Sequence, residues 1–179
     1  NLYAMYGVGW FYNNKEVNYN KIPVEFKNLP LQQTSSSILG LDYKEIKPKL
    51  SFTEEPSRFE NKYVVMAPHA SAHAKYWNNP GGWQKVVDYL KSKGYEVVMI
   101  TSEKLNDTWH DSKLGGTLKG VIDKTGDHID LKDRMIDIKN ADAFIGLGSG
   151  LSWLSWAIGT PTVLISGFSL PLSEFNDCE

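Results

Sequence analysis

A segment rich in glycine and serine, residues 146–153, has the composition best suited to binding a small ligand. It follows a predicted strand and opens a predicted helix. Small residues let the backbone approach a ligand closely there, and the free amides of the first helical turn favour an anion. The alternative is a tight strand-to-helix turn without a ligand. Because residue 153 is Trp, the spacing is not Gly-x-Gly-x-x-Gly, and the Walker pattern is missing too, which disfavours a dinucleotide redox cofactor or a P-loop.

Two charged residues on neighbouring predicted loops are candidates to complete such a site. A helix dipole contributes only about 0.3–2 kcal/mol to holding an anion, so a cation should share the charge, and Lys75 is the best placed. Glu103 follows another predicted strand and could accept hydrogen bonds from ribose hydroxyls. A solvated loop carboxylate is an equally good interpretation of Glu103.

Histidines and tryptophans in the same region have simpler interpretations than catalysis. His69 and His73 are four residues apart and could ligate a metal on a helix, but Pro68 and the lack of a nearby cysteine or carboxylate favour a loop without metal. Trp153 and Trp156 are spaced for packing on a sheet. No Ser-His arrangement indicates a hydrolase triad.

The elements that must position these residues alternate between strand and helix from residue 62 onward. This alternation predicts a doubly wound, Rossmann-like parallel sheet of the α/β class with right-handed crossovers, whose ligands bind at the carboxyl ends of the strands. The predicted strands are 63–67, 95–100, 119–123, 143–147 and 161–165; the predicted helices lie at 83–90, 131–141 and 151–158, and a loop is expected at 103–118.

The first part of the chain has a different composition. Aromatic and β-branched residues on both sides of Asn13-Asn14 predict a β-hairpin, and residues 31–41 predict a short helix that ends at Gly40. We therefore predict a small β-rich segment with a connector over residues 1–59 and a Rossmann-like domain over residues 60–179. Since the sequence starts at Asn1 and not at Met, we expect a processed or truncated protein.

Composition disfavours several classes of function. The 179 residues carry a formal net charge of −2, so no basic excess is available to bind nucleic acid. No apolar run approaches the ~20 residues that span a bilayer. The single cysteine, Cys178, excludes a disulfide within the chain and a multi-cysteine metal site built from this chain alone. These features favour a cytoplasmic protein.

Several blocks of the sequence resemble known enzymes. VMAPHAS at 65–71, KYWN at 75–78 and GWQKVVDYL at 82–90 resemble the donor-binding domain of heptosyltransferases. IGLGSGLSWLSWAIGTP at 145–161 and SGFSLP at 166–171 resemble the bacterial autotransporter heptosyltransferases in particular. The resemblance is strongest over residues 60–175, and it implies that the domain over residues 60–179 binds a nucleotide sugar.

The resemblance implies the donor half of a GT-B glycosyltransferase, which transfers heptose from ADP-heptose to serine hydroxyls of an autotransporter adhesin. It further implies a cytoplasmic homo-oligomer and no cofactor for catalysis. The residues that it assigns to the donor pyrophosphate are Lys75, Ser71, Ser149, Gly150, Leu151 and Ser152. Those that it assigns to ribose and adenine are Thr101, Glu103, Ile129 and Leu131.

The sequence also departs from the family. Lipopolysaccharide heptosyltransferases read Asp-Thr-Gly-Leu-x-His where this chain has GSGLSW at 148–153. The autotransporter enzymes carry an iron site of four cysteines, and only Cys178 is present, so no metal is assigned. No residue matches the family's catalytic carboxylate. A nucleotide-sugar-binding module without catalysis and a sugar-nucleotide 2-epimerase are therefore retained as alternatives.

Overall fold

The chain divides into two compact units, Asn1–Ile46 with Ser169–Glu179, and Lys47–Phe168. The computed structural model describes residues 12–13, 16–17, 30–106 and 108–166. The domain boundary that we place after residue 59 stays a prediction.

The described residues of the first unit form a hairpin and one helix. Strands β1 (Tyr12–Asn13) and β2 (Glu16–Val17) pair antiparallel with Tyr12 opposite Val17, which confirms the hairpin. Helix α1 covers Leu31–Ile38. It is followed by Gly40 at φ +67°, a left-handed conformation that glycine adopts without strain, so the predicted end of this helix is also confirmed.

The second unit is built on a five-stranded sheet in which every strand pair is parallel. The strand order is β5–β4–β3–β6–β7, so the chain runs outward from β3 in one direction through β4 and β5, and in the other through β6 and β7. This is the predicted Rossmann-like α/β fold. The strands are β3 (Tyr63–Ala67), β4 (Glu96–Met99), β5 (Ile122–Asp123), β6 (Ala143–Leu147) and β7 (Thr162–Ile165).

Four α-helices and one 3-10 turn connect these strands. Three of the helices lie where helical spacing predicts them. The helices are α2 (Gly82–Ser92), α3 (Thr108–Leu114), α4 (Leu131–Lys139) and α5 (Gly150–Ile158), and the 3-10 turn is His73–Lys75. No helix within the described residues is long and apolar enough to cross a membrane.

Helix α3 corrects the loop that we expect over residues 103–118. Its sequence is polar, so its own periodicity gives little indication of a helix. Leu114 is almost completely buried in the core cluster that contains Trp83 and Met99. Burial of one large side chain stabilises a short polar helix that local propensity alone would leave marginal.

Two apolar layers enclose the sheet. On one face, Trp83 and Val87 of α2 pack in one cluster with Met66 and Met99, and on the other Ile138 of α4 packs with the sheet. Every residue of β3 is buried, as expected for a central strand covered on both faces. Trp156 is also buried, its ring centroid 5.6 Å from that of Trp153, in agreement with the packing interpretation.

Candidate functional site

A cavity of about 470 Å³ opens at the carboxyl edge of the sheet. Its walls come from the segments that follow β3 and β4 and from the start of α5, which follows β6. Because β4 lies on one side of β3 and β6 on the other, the cavity is at the point where the strand order reverses. Ligands of open α/β sheets bind at this position.

The start of α5 supplies backbone donors to the cavity. Ser149 precedes the helix with an extended backbone, and within the described residues no side chain caps the helix. The amides of Ser152 and Trp153 donate to the carbonyl of Ser149 at 3.1 and 3.2 Å. The amides of Gly150 and Leu151, both on the cavity wall, have no acceptor within the helix, which suits an anion.

Ser152 has a structural hydroxyl. Its side chain is completely buried, and Oγ donates to the carbonyl of Leu147 at 2.5 Å. This bond fastens the first turn of α5 to the end of β6. Ser152 therefore lies behind the cavity wall, and its side chain does not face the open space.

The predicted site residues divide into two groups. The described cavity wall does not include Lys75, Ile129 or Ser152. Lys75 ends the 3-10 turn on the loop that carries Ser71, and it is half-buried. The predicted residues that do line the cavity are Ser71, Thr101, Glu103, Leu131, Ser149, Gly150 and Leu151.

The loop after β4 is held by Arg134 of α4. Nη2 of Arg134 donates to the carbonyl of Thr101 at 2.8 Å and to that of Gly126 at 2.5 Å. Only 6% of Arg134 is exposed, and burial lowers the pKa of its guanidinium, which nevertheless keeps its charge at neutral pH. Sequence reasoning missed Arg134, although it lies three residues after Leu131 and four before Ile138, on the face of α4 that points to the core.

Two histidines surround the carboxylate of Glu103. His69 is 4% exposed, and its Nδ1 is 3.3 Å from Oγ1 of Thr101 and 3.9 Å from Oε2 of Glu103. His110 on α3 places Nε2 4.0 Å from Oε1 of Glu103. Sequence reasoning missed this role of His110, because α3 itself was not predicted.

Metal binding by His69 and His73 has no support in the geometry. The ring of His69 lies beside that of His110, with centroids 5.3 Å apart, and His73 packs edge-on against Trp109. The residues that the structure describes contain no group of three His, Cys, Asp or Glu side chains that could hold a metal ion.

The chemistry of the cavity is divided between its two sides. The α5 amides can hold an anion, and Glu103 on the opposite loop can accept hydrogen bonds from hydroxyl groups. Leu131, 57% exposed, and Leu151 offer apolar surface to a flat ring. These features define a Rossmann-like α/β domain with a ligand cavity at its switch point.

Comparison with known protein families identifies the family of the domain. Residues 18–172 match the model of glycosyltransferase family 9 (heptosyltransferase). The chain belongs to this family.

Three relatives match 97% of the chain. The autotransporter heptosyltransferase BAHTCr of Citrobacter rodentium is 40% identical over 176 residues, and TibC of Escherichia coli is 39% identical over 176 residues. An inactive autotransporter heptosyltransferase, BimC of Burkholderia thailandensis, is 29% identical over 174 residues. The chain spans 41% of the length of BAHTCr and TibC, and 40% of that of BimC.

A solved structure supports the same assignment. Dodecameric, iron-containing TibC in complex with ADP-D-β-D-heptose superposes with a TM-score of 0.76 at 38% identity, covering 97% of this chain and 44% of TibC. The described residues of the present chain do not fit an iron site, since no cluster of three potential ligands occurs among them. Cys178 lies outside the described residues.

Proposed function

We propose that this chain is the donor-binding part of a heptosyltransferase that transfers heptose from ADP-heptose to serine hydroxyls of an autotransporter adhesin. The observation that carries the proposal is the switch-point cavity, in which unbonded amides of α5 lie on one side and the Glu103 carboxylate on the other. A nucleoside diphosphate matches both sides, because its diphosphate is an anion that amides can bind and its ribose carries hydroxyl groups that can donate to a carboxylate. Membership of glycosyltransferase family 9 supports the choice of donor.

The α5 amides would bind the donor pyrophosphate. Departure of ADP leaves negative charge on the leaving oxygen, and preorganised donors stabilise such charge best where water is excluded. Gly150 and Leu151 supply two backbone donors. Lys75 is not part of the described cavity wall, and it would supply the cation from the end of the 3-10 turn on the loop that carries Ser71. Ser71 and Ser149 add hydroxyl groups at the same wall. Ser152 contributes through its position in the first turn and not through its hydroxyl, which is already bonded.

Recognition of the nucleoside would fall to the other side of the cavity. The carboxylate of Glu103 accepts hydrogen bonds from ribose hydroxyls, while the hydroxyl of Thr101 already donates to the carbonyl of Glu103 at 2.7 Å and so fixes the loop. Leu131 provides apolar surface for adenine. Ile129, on the preceding loop, would supply more of this surface when the donor is bound.

Replacing Lys75 by alanine tests the pyrophosphate assignment. Loss of one charge-assisted contact should weaken ADP binding about tenfold to a hundredfold. Isothermal titration calorimetry measures the change directly. Lys85→Ala is the matched control, because Lys85 is an exposed lysine of α2 that does not line the switch-point cavity. Equal ADP affinity in Lys75→Ala, Lys85→Ala and the parent chain would contradict the assignment.

A second candidate is a nucleotide-sugar-binding module without catalysis. Its support is the 29% identity to BimC, a relative described as inactive, together with the lack of an identified catalytic base in this sequence. Both candidates bind ADP-heptose, and only the enzyme transfers heptose. Incubation with ADP-heptose and an adhesin acceptor, followed by mass spectrometry of the acceptor, distinguishes them.

The remaining proposals concern assembly and location. We propose a homo-oligomer, because TibC is a dodecamer, and a cytoplasmic location, because the chain has a single cysteine and nucleotide-sugar donors are cytoplasmic substrates in the family that it resembles. Light scattering coupled to size-exclusion chromatography would test the assembly. A mass equal to one chain would contradict it.

A further inference from the structure

Two histidines from different elements lie beside the carboxylate of Glu103. We propose that His69 and His110 are positioning residues, which hold the Glu103 carboxylate so that it accepts hydrogen bonds from a vicinal diol. This inference rests on the proposed function, in which that diol belongs to the ribose of a nucleoside diphosphate. Neither histidine is required to touch the ligand.

A chain of hydrogen bonds connects His69 through Thr101 to the backbone of Glu103. The hydroxyl of Thr101 donates its single proton to the carbonyl of Glu103 at 2.7 Å. It can therefore only accept from His69, whose Nδ1 lies 3.3 Å away. His69 accordingly carries its proton on Nδ1. The imidazole, buried beneath the loop, sets the position of Thr101 and through it that of Glu103.

The carboxylate itself lies between the two imidazoles. Nδ1 of His69 is 3.9 Å from Oε2 and Nε2 of His110 is 4.0 Å from Oε1, so one ring packs beside each oxygen without a hydrogen bond to it. The two rings come from different elements, the loop after β3 and helix α3. Their centroids are 5.3 Å apart. The Glu103 side chain is 25% exposed and reaches the cavity past these rings.

A carboxylate that is already held in place loses less conformational entropy when a ligand binds. A free glutamate has three side-chain torsions to order when it binds a diol, and two neighbouring groups that restrict them lower the entropy lost on binding. Each carboxylate oxygen keeps lone pairs for one hydroxyl after it faces one imidazole. Arg134 of α4, which holds the loop from behind, adds a buried positive charge that interacts electrostatically with Glu103. A vicinal diol fits two such oxygens.

The test compares two nucleotides across a set of variants of the full chain. ADP carries the diol, and 2′,3′-dideoxy-ADP lacks it, so the ratio of their dissociation constants isolates recognition of the diol. His110→Ala removes one imidazole, while His110→Gln retains an N–H close to Nε2. His69→Asn likewise retains a donor close to Nδ1. His128→Ala is the matched control, since His128 is an exposed histidine outside the cavity wall.

We expect the parent chain to prefer ADP over the dideoxy nucleotide by about tenfold or more, because hydrogen bonds to a charged acceptor discriminate strongly. His110→Ala should reduce this preference about threefold to tenfold without changing affinity for dideoxy-ADP. His110→Gln, His69→Asn and His128→Ala should keep most of the preference. Glu103→Gln should lower it, and adding His110→Ala to Glu103→Gln should then have little further effect.

Three outcomes would overturn the inference. An unchanged preference in His110→Ala means that the imidazole does not position the carboxylate. Equal loss of affinity for both nucleotides means that His110 only maintains the fold. If the parent chain binds both nucleotides equally well, Glu103 does not accept hydrogen bonds from the diol. Binding of both nucleotides would still agree with the proposed donor site. If the parent chain binds neither nucleotide, the proposed function itself fails.

Discussion

Gly146 in β6 and Gly150 at the start of α5 have opposite surroundings. A methyl group added at Gly146 would lie 2.6 Å from Cε1 of Phe144 and 3.1 Å from Oγ of Ser152. One added at Gly150 would meet no described atom within 4 Å. The first glycine is needed for packing of β6 against α5, whereas the second leaves space at the mouth of the cavity.

Alanine substitutions should therefore separate stability from binding. Gly146→Ala should destabilise the fold by about 1–3 kcal/mol, because the buried neighbours must shift. Gly150→Ala should leave stability equal or raise it by up to about 1 kcal/mol, since alanine favours the helix, yet it should weaken ADP binding by filling the approach to the amides. Thermal melts and ADP titrations of both variants check this. A stable Gly146→Ala, or full ADP affinity in Gly150→Ala, would be inconsistent with these surroundings.

Helix α4 carries a buried acid outside the candidate site. Asp137 is 2% exposed, and its Oδ1 accepts no hydrogen bond from the described residues. Burial raises the pKa of its carboxyl above the ordinary value. The folded state therefore holds this proton more tightly than the unfolded state. As the pH rises from the ordinary carboxyl pKa through the raised pKa of the folded state, Asp137 lowers the free energy of unfolding.

Asp137→Asn should consequently stabilise the protein at neutral pH. The gain should be on the order of 1 kcal/mol, or a few degrees in melting temperature, and it should vanish below about pH 4, where the acid is protonated in both states. Melting curves of the parent and variant between pH 3 and pH 8 give the comparison. The prediction is contradicted if the stability gained by the variant over the parent is smaller at pH 7 than at pH 4.

Strands and long helices were the most predictable elements. Strands β3 and β6 agree with their predicted bounds because each is a short apolar run closed by a turn. Helix α3 could not be predicted, since its stability comes from Leu114 in the core and not from its own periodicity. For the same reason the position of His110 beside Glu103 could not be predicted, because His110 lies on α3.

The candidate site was predictable only in part. The small residues of 149–151 mark a helix start, and the carboxyl ends of parallel strands converge at a switch point, so their place in the cavity follows from the sequence pattern. Contacts between distant elements do not follow from it. The bonds of Arg134 to Thr101 and of His69 to Thr101 join residues 33 and 32 positions apart. Such pairs become visible only when α4 and the loops are placed in space.

The chain as a whole presents a cavity at the switch point of a fold that spans less than half of the length of its relatives. We propose that this cavity is an adenine-selective diphosphate site. Family membership supports the claim, and the cavity supplies groups for both the phosphates and the ribose. Transfer of heptose to an adhesin acceptor is a proposal that depends on this site.

A calorimetric titration of the full chain with ADP-heptose, ADP, UDP and GDP tests the claim most directly. We expect ADP and ADP-heptose to bind, with no measurable heat for UDP or GDP. In a parallel thermal melt, ligand at a hundredfold over its Kd should add about 2.7 kcal/mol of stability, or about 5–10 °C. Equal binding of all four ligands, or binding of none, would contradict an adenine-selective site.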